Sequence, residues 1–335
     1  PAGRGAVARV GPIGAAFGPV QGRASQTSAL YRLYPTARGL DMIEGFTKTV
    51  IHCNGVDLAV HRAGHGTPLL LIHGFPQNHM CWETVAPQLA RHHDVIIPDL
   101  RGYGESDAPA NDPGNTTYSK RTMAQDMVDL LTALGISRAD VLGHDRGARV
   151  AYRFALDHPE RLGKLGIIEI VPTADFWASW TADLAMAAYH WTFLAQPVPL
   201  PERMIGADPV GYVDWTLAQW TLSKSLDAFS PAALDSYRAQ ALDPARVHAM
   251  CADYRAGASF DRALDEADKD AKKQITAPLR LLYGAHGFPA KSGNAADIWR
   301  GWAPAVEASV CEAGHFVMEE NPQAVLAAFE PFFTP

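Results

Sequence analysis

The run Val141-Leu142-Gly143-His144-Asp145-Arg146-Gly147-Ala148-Arg149 holds the side chains best arranged for chemistry. An apolar stretch ends at small residues, a nucleophile-type residue follows, and small residues come after it. This is the layout of a nucleophile elbow, a sharp strand-to-helix turn that presents one side chain at the top of a sheet. Such elbows usually carry serine; this one carries Asp145. A carboxylate attacks carbon and forms an alkyl ester, whereas a serine alkoxide attacks carbonyls. The expected chemistry is therefore displacement of a leaving group from carbon. Arg146 and Arg149 are three apart at the start of one expected helix and can share a face. Guanidinium groups grip carboxylates with two parallel hydrogen bonds, so this pair suits an anionic substrate. Arg153, four residues further on, is read as structural.

Strand-like apolar runs must position these groups. Thr47 to His61 reads as a hairpin turning at Asn54-Gly55. Leu69 to Ile72 and Val95 to Pro98 are buried-strand runs, with a helix expected from Met80 to Arg91 between them. Tyr118 to Leu134 reads as an amphipathic helix closed by Gly135. Val141-Leu142 feeds the elbow, and its helix is expected to run to about His158. Leu165 to Val171, Leu279 to Gly284 and Ala308 to Cys311 complete the strands, with helices near Ala295 to Trp302 and at the C-terminal end. Strands alternating with helices imply a mostly parallel sheet covered on both faces. Residues 173–276 are rich in Trp, Tyr, Ala and Asp and read as an inserted helical cap. The core is then 42–172 together with 277–335. Ligands in such sheets sit at the carboxyl ends of the strands, here beneath the cap.

Composition narrows the function. The hydrophobic fraction is 47% and the net charge −7, which suits a globular protein and argues against a nucleic-acid or anionic membrane partner. No apolar run approaches the roughly 20 residues of a membrane span. Cys53, Cys81, Cys251 and Cys311 show no paired metal-ligand spacing, and free thiols in a cytoplasmic setting are expected. No metal or organic cofactor is expected. The first forty residues lack Asp and Glu and show no periodicity. Residues 1–41 read as a disordered extension, or as sequence ahead of a start at Met42, in preference to a transit peptide.

Asp145, Glu169 and His315 each follow a separate strand-like run. Their order, nucleophile then acid then histidine, is that of the α/β-hydrolase triad. From about Val50 onward the chain resembles the haloacetate (fluoroacetate) dehalogenases of the α/β-hydrolase superfamily. The resemblance is carried by His73-Gly74-Phe75-Pro76-Gln77-Asn78, Asp99-Leu100-Arg101-Gly102-Tyr103-Gly104, Gly143-His144-Asp145-Arg146-Gly147 and Leu156-Asp157-His158-Pro159. In the cap it rests on Tyr189-His190-Trp191, Ile205-Gly206-Ala207-Asp208-Pro209 and Asp253-Tyr254-Arg255-Ala256-Gly257. The core motifs are shared with epoxide hydrolases and haloalkane dehalogenases; the arginine pair with His190-Trp191 is the more specific part.

The resemblance implies an α/β-hydrolase fold and an SN2 attack by Asp145 that expels halide from a haloacetate. His315 would then activate water to hydrolyse the aspartyl ester, with Glu169 orienting the imidazole. Backbone N–H groups of Phe75 and Arg146 would form the oxyanion hole. Arg146 and Arg149 would bind the carboxylate, and His190, Trp191 and Tyr254 the departing halide. The resemblance also suggests a homodimer. Glu169 stands where this group usually has Asp, and the alternative acid position, Ala285-His286-Gly287, offers no carboxylate. Trp82, Trp177, Trp180, Trp215 and Trp220 read as core or pocket lining. An epoxide hydrolase using cap tyrosines among Tyr189, Tyr212, Tyr237 and Tyr254 is the main alternative, and a catalytically silent hydrolase fold a minor one.

Overall fold

A computed structural model describes residues 42–334, so the expectation for 1–41 lies outside the described residues. Strands β1 (Thr47–Cys53) and β2 (Val56–Gly64) form the expected hairpin. Its turn residues Asn54 and Gly55 have φ of 47° and 78°. Two successive left-handed residues give the turn whose twist matches a hairpin, which is why Asn-Gly stands there.

The sheet continues through β3 (Thr67–Ile72), β4 (His93–Pro98), β5 (Ala139–His144), β6 (Leu162–Ile168), β7 (Leu279–Gly284) and β8 (Glu307–Cys311). The order is β1-β2-β4-β3-β5-β6-β7-β8. β2 is antiparallel to both β1 and β4, and the pairings from β4 through β8 are parallel. Leu69 to Ile72, Val141 and Leu142 are all completely buried, as both-face burial of a parallel sheet requires. The helix Asp145–Asp157 packs on β5 and β6, and the helix Pro322–Phe333 packs on β7. Among the described residues the chain between β6 and β7 contains helices and no strand.

Two expectations are corrected. Met80 to Arg91 is not one helix but a short 3₁₀ turn, His79–Trp82, and a single helical turn, Ala86–Leu89. Pro87 lacks an N–H and crowds the residue before it, so a helix can begin around it but not run through it. β6 stops at Ile168 rather than Val171, because the chain enters the left-handed region at Glu169, where φ is 63°. The helix expected from Tyr118 runs Lys120–Ala133; the Ser119 side chain accepts from the Thr122 N–H, and Gly135 at φ 72° ends it.

The loops after β3 and β4 lock together beneath the site. His73 Nε2 accepts the Leu100 N–H at 2.9 Å, and Asp99 accepts the N–H groups of His79 and Glu105 at 2.9 and 2.8 Å. A Cβ on Gly104 would lie 2.0 Å from the Asp99 carboxylate, so this approach admits only glycine.

Candidate active site

β5 delivers Asp145 into an elbow. Its φ is 48°, an uncommon value for a non-glycine residue, and it throws the carboxylate clear of the sheet end. Small neighbours permit the turn. A Cβ on Gly143 would stand 2.6 Å from Ala148 Cα, and one on Gly147 would stand 2.2 Å from the His73 carbonyl oxygen. Asp145 remains only 6% exposed.

The two carboxylate oxygens of Asp145 have different surroundings. Oδ1 accepts the Phe75 N–H at 2.8 Å, while Oδ2 lies 3.7 Å from His315 Nε2. A Cβ on Gly74 would sit 2.7 Å from both Oδ1 and the Arg146 backbone nitrogen. Glycine there lets the two backbone segments expected to form the oxyanion hole close on the carboxylate.

His315 follows β8 and is buried, its N–H bonded to the Trp220 carbonyl at 2.8 Å. Neither imidazole nitrogen has a hydrogen-bond partner. Burial, then the neighbouring His144, Arg149 and Lys291, push its pKa well below the ordinary imidazole value. The ring is thus held neutral, the form a general base requires.

Glu169 reaches His315, though not as a hydrogen bond: Oε1 is 3.6 Å from Nδ1. Oε1 accepts the Phe288 N–H and Oε2 the Gly284 N–H, both at 2.8 Å. The 284–288 loop, whose sequence offers no acid, thus supplies backbone donors to the acid from β6. A Cβ on Gly287 would come within 1.6 Å of Oε1, so glycine makes room for the longer side chain. Burial drives the Glu169 pKa well above the ordinary carboxylate range, against the pull of the two N–H groups.

The two arginines are not equivalent. Arg146 is buried and already ion-paired. Its Nη2 donates to the Asp253 carbonyl at 2.8 Å and its Nε to the Asp253 carboxylate at 3.1 Å. Asp253 also pairs with the buried Lys120 and accepts from Tyr103 Oη at 2.9 Å. Burial raises the Asp253 pKa, but Arg146 and Lys120 prevail and hold it at about 2. Arg149 has no carboxylate within ion-pair distance among the described residues. Its Nη1 donates to the Val171 carbonyl at 3.0 Å and to Thr173 Oγ1 at 3.1 Å, while Nε is buried without a partner. Its guanidinium carbon lies 4.6 Å from the Trp191 ring centroid and 5.8 Å from that of Phe176.

The expected halide residues gather on the cap side. The Tyr254 ring centroid is 5.5 Å from that of His190 and 5.9 Å from that of Trp191. His190 Nδ1 and Tyr254 Oη are buried and lack partners. Burial holds His190 well below its ordinary pKa, so its imidazole is neutral. Asp145, Arg149, Glu169, His190, Trp191 and His315 line one enclosed cavity, roomy enough for about one water.

Arg153 is structural as read, paired with Asp157 at 2.8 Å and with Asp268. Trp82 is core, whereas Trp215 is 49% exposed on a separate hollow described below. Sequence reasoning missed Asp253 as the partner of Arg146, Lys120 as the second cation on Asp253, and Phe288 as a wall beside His315; Trp220, read as core or pocket lining, is a second wall there. Asp253 was within reach, standing beside Tyr254 in one helix. The others are far from the triad in sequence and carry no local signal.

Residues 67–322 match the family model described as the alpha/beta hydrolase fold. A fluoroacetate dehalogenase from Burkholderia sp is 36% identical over 88% of this chain and 95% of its own length. A soluble epoxide hydrolase from Corynebacterium sp. (strain C12) is 33% identical over 84% and 95%. Among solved structures, ALR0039 from Nostoc sp PCC 7120 superposes with a TM-score of 0.84 at 42% identity, covering 88% of this chain and 99% of that one. The sheet order, the elbow at Asp145 and these matches agree: the chain is a member of the alpha/beta hydrolase family.

Proposed function

We propose that this hydrolase acts on carbon–halogen bonds of small haloacetates, releasing halide and glycolate through an ester on Asp145. Arg149 carries the reading. A buried cation without a carboxylate partner, on the wall of the nucleophile's cavity, is costly unless the ligand brings a negative charge. The edge of its guanidinium bearing Nε suits a two-point grip on a carboxylate. The fluoroacetate dehalogenase relative supports the same reading.

In this mechanism Asp145 Oδ2 is the attacking atom, since Oδ1 is held by the Phe75 N–H. Attack on the α-carbon expels halide toward the N–H and O–H donors of His190, Trp191 and Tyr254 and leaves a glycolyl ester on Oδ2. His315 then takes a proton from water, and the hydroxide adds to the Asp145 carboxyl carbon. The oxyanion forms on Oδ1, already facing the Phe75 N–H, with the Arg146 N–H as the second donor. Collapse frees glycolate and restores the carboxylate. Glu169, held by the Gly284 and Phe288 N–H groups with Oε1 3.6 Å from Nδ1, is the acid placed to face the imidazolium as it forms.

Epoxide hydrolysis would use the same Asp and His, with a pair of tyrosines to polarise the ring oxygen. Of the four candidates, Tyr254 abuts His190 and Trp191, whereas Tyr237 Oη is bonded to Glu319 at 3.0 Å. A neutral epoxide would leave Arg149 uncompensated. The test is halide release from fluoroacetate and chloroacetate, with styrene oxide hydrolysis run in parallel, in the wild type and in His315→Ala. Halide release that ceases to turn over in the variant is the expected result. Diol formation without halide release refutes the proposal.

A further inference from the structure

Beyond the catalytic cavity lies a second hollow of about 300 Å³. Phe288 and His315 line both spaces, so the hollow abuts the catalytic histidine. Trp220 forms another wall, and its ring stands edge-on to both Phe288 and His315, with centroids 5.4 Å from each. The remaining rim is exposed: Lys224, Lys291, His286 and Met186 all face solvent. This is the geometry of a vestibule.

Its charge is one-sided. Lys224 Nζ donates to the Gln219 carbonyl at 2.6 Å, which tethers the ammonium at the rim, and Lys224 holds a left-handed φ of 57°. Lys291 Nζ sits 5.9 Å from the Phe288 ring centroid. Neither lysine has a carboxylate within ion-pair distance among the described residues. The acids nearby are otherwise engaged. Glu312 faces His286 at 3.4 Å, and Glu320 accepts the N–H groups of Leu222, Gly314 and Phe316 at 2.6, 3.0 and 3.0 Å. Burial, then the neighbouring Lys291, lower the Lys224 pKa against the pull of Glu320, and Lys291 also acts on His315. The two charges are therefore close enough to sense each other and the site. On a chain of net charge −7, two lysines without an ion-pair partner among the described residues at one hollow are a local concentration of positive charge.

We propose that Lys224 and Lys291 form a cationic entry vestibule that selects small carboxylate anions and concentrates them above Phe288, ahead of their capture by Arg149. The proposal rests on the haloacetate reading. A cleft lined by one sign of charge raises the local concentration of the opposite ion by tenfold or more, and salt removes the effect.

The experiment measures kcat and KM for fluoroacetate in the wild type, in the double variant Lys224→Gln/Lys291→Gln and in the charge-keeping double variant Lys224→Arg/Lys291→Arg. Each is assayed from low to high ionic strength, set with sodium sulfate. The expected result is a loss on the order of tenfold in kcat/KM for the glutamine pair at low salt, carried by KM. That gap closes at high salt, and the arginine pair keeps wild-type behaviour. A glutamine pair equal to wild type at low salt overturns the proposal, as does a loss confined to kcat. If the wild type releases no halide, the functional reading fails by itself. The vestibule is then judged by calorimetric titration of chloroacetate into Asp145→Asn protein with and without the glutamine pair. Weaker binding in the glutamine background supports the vestibule, and equal binding overturns it.

Discussion

Replacing Arg149 by methionine tests the site most directly, because the change keeps much of the side-chain volume and removes only the charged fork. In the structure Nη1 is spent on the Val171 carbonyl and Thr173 Oγ1, which leaves the Nε edge free for the carboxylate of the proposed substrate. Two charge-assisted hydrogen bonds of about 1.5–3 kcal/mol each would be lost. The smaller figure for both gives a deficit of about 3 kcal/mol, or roughly 100-fold in kcat/KM at 1.4 kcal/mol per decade. Arg146 cannot take over, since Asp253 already holds its charge. The deficit should fall on KM for fluoroacetate and chloroacetate, because the carboxylate is bound alike before and during displacement at the neighbouring carbon. Arg149→Lys should recover part of it, a point charge without the fork. Fluoride-electrode and chloride assays over a full substrate range separate the two constants. A variant with wild-type KM and reduced kcat would refute the reasoning, because Arg149 would then be acting on the chemistry or the packing rather than on the anion.

Gly287→Ala should cut kcat at least tenfold with little change in KM, since its Cβ would come within 1.6 Å of Glu169 Oε1 and force the acid away from His315; steady-state kinetics decides, and an unchanged kcat would show that Glu169 is dispensable. Asp253→Asn removes the carboxylate that the buried Arg146 and Lys120 share, so urea denaturation should show a loss on the order of 3–5 kcal/mol; wild-type stability in that variant would mean that Asp261 balances the two cations. Asp265 gives a pH signature. Burial pushes its carboxyl up to about 7, while it accepts hydrogen bonds from Tyr152 Oη and the Ala174 N–H. A folded pKa above the unfolded value of about 3.9 means that the folded state binds more protons, so stability falls as pH rises between the two values. From pH 5 to pH 7 the loss is about 2 kcal/mol, since the slope of about 1.36 kcal/mol per unit halves as pH reaches the folded value. Asp265→Asn should flatten that part of the pH–stability curve, and parallel curves for the two proteins would contradict the assignment.

Much of the scaffold was legible because its signals are local. Asn54-Gly55 turns a hairpin on its own, and the apolar runs of β3, β4, β5 and β7 are buried on both faces and carry no ambiguity of side. The failures came where a local pattern met a stronger local constraint. The apolar spacing from Met80 to Arg91 suits a helix, yet Pro87 breaks it; the apolar run through Val171 suits a strand, yet Glu169 turns left-handed.

Asp145, Glu169 and His315, which the fold brings together, could be picked out from sequence alone, because an elbow and two strand ends impose recognisable residue types at short range. Which arginine carries an unbalanced charge could not. Asp253 reaches Arg146 from 107 positions away, and it meets Lys120 from 133 positions away. Nor does the sequence say that the loop at Gly284 and Phe288 holds Glu169, or that Lys224 and Lys291 share one opening. Electrostatic energy depends on distance and burial, and both are properties of the folded chain. The sequence thus determined which groups could react, and the tertiary structure decided which charges remain available to the substrate.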